Sequence, residues 1–304
     1  MDQEGKMSKH EYDSLIIGQV SLDINTDYEG HTIHEVGGAV VYSSYAAAAL
    51  GHAVCVLPKA NQSEIDLPEV FAKSDKIKVI PLNSTQSTSI ENIYHTADKE
   101  RRTCRAIGRI EPYQVEEIPD IDAAIYHVAG LMQGDLSNDI IVHASKKALA
   151  AVDVQCLLRC VKNDAGEMEF RDWEAKKEIL PYIEFLKTDT AEAEILTGLS
   201  DRVEAAKQLY DWGAKEIMIT HNTEALIYDG ENVYTQPLKP RNLSGRSGRG
   251  DTCFSGYITE RLQKGIPEAL HTAAALVSLK MENPGPFLGN REELKQYMET
   301  YYDK

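Results

Sequence analysis

The sequence predicts an α/β domain in which a mostly parallel central sheet is covered by helices on both faces. Two observations lead there. Short apolar, β-branched runs alternate with helix-length runs along most of the chain, and a length of 304 residues with 42% hydrophobic content suits one sizeable domain better than two. The alternation begins with a strand at 14–18, a helix over 42–50 stopped by Gly51, and a strand at 53–57. Further strands are expected at 78–81, 123–128, 148–154, 185–187 and 216–220, with helices over 173–182, 191–197 and 202–212. Asp229-Gly230 is a two-residue turn signal that joins 225–228 to 232–235 as a hairpin. The C-terminal third reads as helices over 252–264, 267–281 and 291–302.

Two segments break the alternation, 24–36 and 87–107. Both are polar, extended in pattern and rich in β-branched or aromatic residues. They are read as a small lid, with 90–94 and 102–107 forming a hairpin, because long irregular segments in a compact domain usually serve a site. A pair of plain surface loops is the alternative. The expected organisation is a polar tail over 1–10 followed by a single domain over 11–304.

Composition narrows the function. A formal charge of -16 argues against nucleic acid, which calls for a basic face, while leaving room for a local phosphate nest. No apolar run approaches the roughly 20 residues of a membrane span, and the polar N-terminus lacks the apolar core of a signal peptide, so a cytoplasmic protein without a membrane partner is expected. Five cysteines without a C-x-x-C pair read as reduced packing residues.

The chemistry concentrates at Ser244-Gly-Arg-Ser-Gly-Arg-Gly-Asp251, a glycine-rich turn that runs into a helix. Gly248 and Gly250 let the backbone approach an anion, and amides at a helix N-terminus point at it. Asp251 stands where a base is needed to take a proton from an attacking alcohol. A plain helix cap would use the same residue types.

The segment has company. Gly18, Asp23, the pair Gly37-Gly38 ahead of an Ala-rich helix, and the run Lys187 to Gly198 stand in the same order and at similar distances as the motifs of ribokinase-like, PfkB-type carbohydrate kinases. The chain resembles that family from about Asp13 to about Tyr297. The resemblance implies a ribokinase-like three-layer sandwich with a β-lid. It also implies direct in-line transfer from ATP, with Mg2+, to a hydroxyl of a small sugar, polyol or cyclitol. Within it Asp251 is the base, and Gly248, Arg249 and Gly250 form the anion hole. Asp23, Gly37, Gly38 and Tyr42 hold the acceptor, with Gln155 and Arg159 placed near it. Glu192 and Asp189 serve the metal, and the nucleotide lies along Thr220, Ala274, Asn283 and Gly285.

Four positions depart from the family pattern. Tyr42 replaces an Asn, which disfavours ribose and favours a polyol or cyclitol. Asp189 replaces an Asn, and Arg249 replaces an Ala. Gly245 replaces an Asp that helps to hold a monovalent cation, so little response to potassium is expected. The stretch after Thr220 also lacks the usual glycines, which leaves the donor open. A nucleoside kinase using Tyr42, Tyr45, Tyr94 and Tyr126 is the rival within the fold, and a non-catalytic sensor is the rival outside catalysis. Pairing of two copies through the lid edge is a further expectation.

Overall fold

The computed structural model describes residues 10–96 and 101–303. The expected tail over 1–10 therefore falls almost wholly outside the described residues, as does most of the connection between the lid strands. In chain order the strands are β1 (Tyr12–Gln19), β2 (Ser21–Thr26), β3 (Thr32–Gly37), β4 (Val54–Ala60), β5 (Ile77–Val79), β6 (Leu82–Asn83), β7 (Thr88–Tyr94) and β8 (Arg102–Gly108). They continue with β9 (Ala123–Val128), β10 (Leu149–Asp153), β11 (Arg159–Val161), β12 (Met168–Phe170), β13 (Phe185–Asp189), β14 (Glu216–Thr220), β15 (Glu224–Tyr228) and β16 (Val233–Pro237). The helices are α1 (Ala39–Ala49), α2 (Leu67–Phe71), α3 (Asn138–Lys147), α4 (Gln155–Leu158), α5 (Lys176–Ile179), α6 (Thr190–Thr197), α7 (Arg202–Asp211), α8 (Arg249–Arg261), α9 (Ile266–Lys280) and α10 (Arg291–Tyr301).

The central sheet runs β16-β15-β14-β13-β10-β9-β1-β4-β5, with β6 also on β4. The ladders from β14 across to β5 are parallel, whereas β15 and β16 fold back antiparallel. Its inner strands are apolar on both faces because both faces are covered: Leu15 and Ile17 join one core cluster with α3, α6 and α7 residues, while Ile16 between them packs with α1 and α2. Farther along the sheet, Phe185, Met218 and Ile227 meet Phe254 and Tyr257 of α8 and Val277 of α9. The three layers and the mostly parallel sheet agree with the sequence reading.

The lid is a second, four-stranded sheet ordered β3-β2-β7-β8. The β7–β8 hairpin forms as expected, and β2 bridges it to β3. Ile33, Val36 and Ile107 are exposed on this sheet.

Two local readings need correction. The helix expected over 173–182 shortens to α5 plus a single 3-10 turn over Leu180–Tyr182, because Pro181 lacks the amide that would continue an α-helix. The segment 153–159, whose three polar residues among apolar ones read as a strand end, does not prolong β10: the chain leaves it at Asp153, makes the one-turn α4, and enters the short hairpin β11–β12.

Candidate active site

A cavity of about 570 Å³ opens between the lid and the carboxyl ends of the parallel strands, the place where open α/β sheets bind ligands. Its walls come from β2, β3, β7 and β8 of the lid, from β13 and β14, and from the loop 244–251. Most of the sequence-predicted residues meet there: Asp23, Gly38, Tyr42, Gln155, Arg159, Asp189, Thr220, Gly248, Arg249, Gly250, Asp251 and Gly285 all line it.

The loop 244–251 is held by contacts its sequence alone does not reveal. Gly248 caps α8 in the left-handed region with φ 72°, and a Cβ there would fall 2.1 Å from the Tyr42 ring. At Gly250 a Cβ would come within 3.1 Å of Lys187 Nζ, so this glycine brings the helix start against a buried cation. Gly245 passes so close to the Asn283 carbonyl that a Cβ would lie 1.7 Å from it, which excludes a side chain at this position. The Arg249 amide turns back to the Arg246 carbonyl at 3.3 Å, and the first intrahelical bond is donated by the Thr252 amide to Gly248 at 2.9 Å. The amides of Gly250 and Asp251, in the first turn of α8, are those open to an anion.

Behind this loop lies a cluster of buried charges. Lys187 Nζ donates to Asp153 Oδ2 at 2.9 Å and stands 3.9 Å from Glu192 Oε2. Burial pulls the Lys187 ammonium down, but the charges of Asp153, Glu192 and Asp251 outweigh it and raise the pKa above the ordinary lysine value. Burial and the nearby Asp153 charge push Asp251 up to about 6, against the lowering pull of Lys187 and Lys280. A carboxylate so tuned is ionised at neutral pH yet basic enough to accept a proton.

At the lid end of the cavity, Asp23 projects from β2. One of its oxygens, Oδ1, is buried without a hydrogen-bond partner, and the other lies where a side chain on Gly37 would be, 2.6 Å from a Cβ built there. Burial raises the Asp23 carboxyl above its usual range, although the charges of Arg159 and Arg102 act against it. Asn25, Asn92 and Glu35 complete this wall, with Asn92 donating to Asn25 Oδ1 at 3.0 Å.

The remaining candidates sit elsewhere. Ala274 is fully buried in the core, its carbonyl accepting from Ser278 Oγ and the Tyr302 hydroxyl, so the small-residue stripe of α9 packs the interior and does not line the cavity. Asn283 meets Gly245 from behind, and its neighbours Pro284 and Gly285 provide the wall. Gly37 stands behind Asp23, off the wall. Glu192 is buried in a reciprocal cap: its carboxylate accepts from the Asp189 amide at 2.8 Å, and Asp189 Oδ1 accepts from the Glu192 amide at 2.8 Å. The residues fit a divalent ion with Asp189 on the cavity wall and Glu192 acting from behind it, since hard cations take carboxylate oxygens and retain waters. Of the four tyrosines weighed for a base-binding pocket, Tyr42 and Tyr94 line the cavity, whereas Tyr45 donates to the Val70 carbonyl and Tyr126 to that of Ile121.

Sequence reasoning gave no role to Lys187, Asp153, Arg102, Arg246, Asn25, Asn92 or Lys280. Buried charged residues inside apolar runs, such as Lys187 within Phe185–Asp189, were the available signal.

Residues 21–292 match the pfkB family of carbohydrate kinases, which makes the chain a kinase by class. The chain belongs to that family and has its ribokinase-like fold. It is 31% identical to a pyrophosphate-dependent kinase of the ribokinase family solved with sulfate, with 93% of this chain and 99% of that one covered at a TM-score of 0.85. A structure of a pyrophosphate-dependent kinase of the same family with a pyrophosphate analogue and myo-inositol is likewise 31% identical, with the same coverage and a TM-score of 0.84. The cytidine kinase of Thermococcus kodakarensis is 24% identical over 261 residues, 81% of this chain and 87% of that protein. A ribokinase from Arabidopsis thaliana, 15% identical with a TM-score of 0.72 over 94% of this chain and 98% of that one, shares the fold. No helix among the described residues is long and apolar enough to cross a membrane.

Proposed function

We propose that this kinase transfers a phosphoryl group from pyrophosphate to a hydroxyl of a cyclitol or similar small polyol. The observation that carries the reading is the pairing of two unlike walls in one cavity. One wall is cationic and short, built from the start of α8, Lys187, Arg246 and Arg249; the other is lined by hydroxyl-binding groups, Asp23, Asn25, Asn92, Gln155 and Arg159. The 31% likeness to kinases that use pyrophosphate supports the donor, and the complex of one of them with myo-inositol supports the acceptor class.

ATP, the donor expected from the sequence, has less support in this cavity. Ala274, expected along the nucleotide, is fully buried, as are its small neighbours Ala273 and Ala275. Nucleosides as acceptors are also disfavoured. Gly248 packs against the Tyr42 ring, and Lys280 Nζ stands 5.1 Å from its centroid, so that ring is already engaged by the protein.

The chemistry follows from placement. Asp23, with an acceptor oxygen unused, takes hydroxyl donors and orients the polyol. Asp251 removes the proton from the attacking hydroxyl as the new P–O bond forms and the bridging P–O bond of the donor breaks, releasing phosphate. The Gly250 and Asp251 amides, with the Lys187 and Arg249 cations, favour the charge that gathers on the transferred group. Magnesium, held at Asp189, would neutralise donor charge.

A donor-by-acceptor matrix tests the reading. Purified protein is incubated with pyrophosphate or ATP against inositols, pentoses, hexoses and nucleosides, and the phosphorylated product is quantified. Pyrophosphate with an inositol is expected to exceed every ATP pairing by at least about tenfold, roughly 1.4 kcal/mol in transition-state preference. Faster turnover with ATP overturns the donor, and a nucleoside as best acceptor overturns the polyol.

A further inference from the structure

Under the loop 244–251 one long side chain from the end of α9 is held by carbonyls of the loop itself. Lys280 is the last residue of α9 and is 2% exposed. Its Nζ donates to the Gly245 carbonyl at 2.6 Å and also to the Ser247 carbonyl. The same ammonium stands 5.1 Å from the centroid of the Tyr42 ring, a cation–π distance. The loop is tied to the same helix end a second time, by the Gly245 amide donating to the Met281 carbonyl at 2.7 Å.

Two carbonyls and an aromatic ring converging on one positive charge make a cation site. Here the cation is covalently attached to the protein. Because the C=O of one residue and the N–H of the next point in opposite directions across a planar trans peptide, drawing in the Gly245 and Ser247 carbonyls turns the amides of Arg246 and Gly248 away from Lys280. The residues of this loop line the cavity, whereas Lys280 itself is not among the lining residues. The positive charge at the C-terminal end of α9 also meets the favourable end of that helix dipole.

We propose that Lys280 is a tethered cation that holds the anion-binding loop in its working shape, taking the place of a dissociable monovalent ion. Lys280 is thus a positioning residue, acting on the donor through the loop. The assignment rests on the phosphotransferase reading for its consequence in catalysis, while its structural part stands independently. Gly245 is consistent with it, since the site that a carboxylate at this position would serve is already filled by charge and closed by the Asn283 carbonyl.

The site carries its own titration. Burial lowers the Lys280 ammonium to about 8, and the carboxylates that face it, Asp251 from α8 and Glu35 from β3, act in the other direction without restoring it. Tyr42 of α1 faces it too and stays neutral, its phenol pushed well up by burial and by Asp23 and Asp251. A cationic group with a lowered pKa is charged below that value, so the loop loses its counter-charge as pH rises through about 8.

The test uses three forms of the full chain: wild type, K280R and K280A. Thermal unfolding is followed with ammonium, methylammonium, potassium or tetramethylammonium at constant ionic strength. K280A should gain about 2–4 °C with a small cation and nothing with the bulky one, whereas the wild type should respond to none. Calorimetric binding of inorganic phosphate should weaken at least about tenfold in K280A and recover with ammonium. In the wild type, phosphate affinity should fall as pH rises through about 8, and in K280R that fall should move beyond pH 10. The K280R comparison and the wild-type titration hold even if K280A does not fold. A K280A protein that ignores small cations, or a K280R protein with the wild-type pH dependence, overturns the tethered cation. Absence of turnover with every donor, together with ammonium stabilisation of K280A, overturns the kinase assignment alone.

Discussion

The two ends of the cavity are built by different means. The end proposed to take the donor is one continuous stretch, 244–251, that runs into the start of α8, with Lys187 lying against Gly250 and Lys280 donating to the Gly245 carbonyl. The end proposed for the acceptor has no continuous stretch. Asp23 and Asn25 come from β2, Asn92 from β7 and Arg102 from β8, brought together by the pairing of lid strands far apart in sequence, and Arg159 is added from β11. A phosphate has nearly the same shape in every donor, so a local turn of fixed geometry serves it. A polyol is recognised by the positions of its hydroxyls, which calls for side chains that can be exchanged singly on a sheet.

The largest test of that contrast is Asp251→Asn. It keeps the donor loop and removes only the proton acceptor, so kcat should fall by about 10²-fold or more, with both affinities kept within a few fold. The pH profile of the unmodified enzyme checks the same group: with Asp251 raised to about 6, the base is protonated as pH falls through about 6 and turnover is lost on that side. Near-normal turnover of the variant, or an acidic limb that lies below pH 5, would remove Asp251 from its role.

Asp23→Asn probes the other end and should be smaller. Replacing one acceptor oxygen by a donor group should weaken acceptor binding by roughly 10- to 50-fold, the worth of a charge-assisted hydrogen bond, and leave phosphate binding unchanged. Calorimetric titration of the two ligands separately reads the difference. Equal losses at both ends would mean that the lid and the loop are one cooperative unit, against the division drawn here.

The junction between the two ends gives the smallest expected effect. Gly38, at φ 113°, joins the lid strand β3 to α1, and a Cβ there would meet the Gln19 carbonyl oxygen at 2.5 Å. Gly38→Ala should cost about 1–3 kcal/mol of stability, read by denaturant unfolding. It should also raise KM for the acceptor more than it lowers kcat. A stable variant with unchanged KM would show that the junction accommodates a side chain without moving the lid.

Most of the architecture was legible because it is written in local pattern. Apolar strands covered on both faces, glycine helix stops and the hairpin at Asp229-Gly230 are decided by neighbours in sequence, and the structure reproduces them, although the hairpin's connection runs from Asp229 to Asn232 and not over two residues. Where the pattern misled, long-range contacts were the reason. The stripe Ala273 to Ala275 has the small side chains that a bound base would need, yet those same side chains let α9 pack closely into the interior. Glu192 kept the place its spacing gave it at the start of α6, but its carboxylate is held inward by the reciprocal cap with Asp189 and stands 3.9 Å from Lys187, contacts that the spacing does not show.

The sequence by itself determined the layered α/β fold, the position of the lid and the residues of the donor loop, because strand period, helix stops and a glycine-rich helix start are all local in origin. Tertiary structure alone decided which charges meet. Lys187 reaches Asp153 across 34 positions, Lys280 reaches the Gly245 carbonyl across 35, and β11, outside the lid sheet, brings the Arg159 charge to bear on Asp23. The direction of a long side chain is fixed by what packs around it, and no spacing rule carries that information.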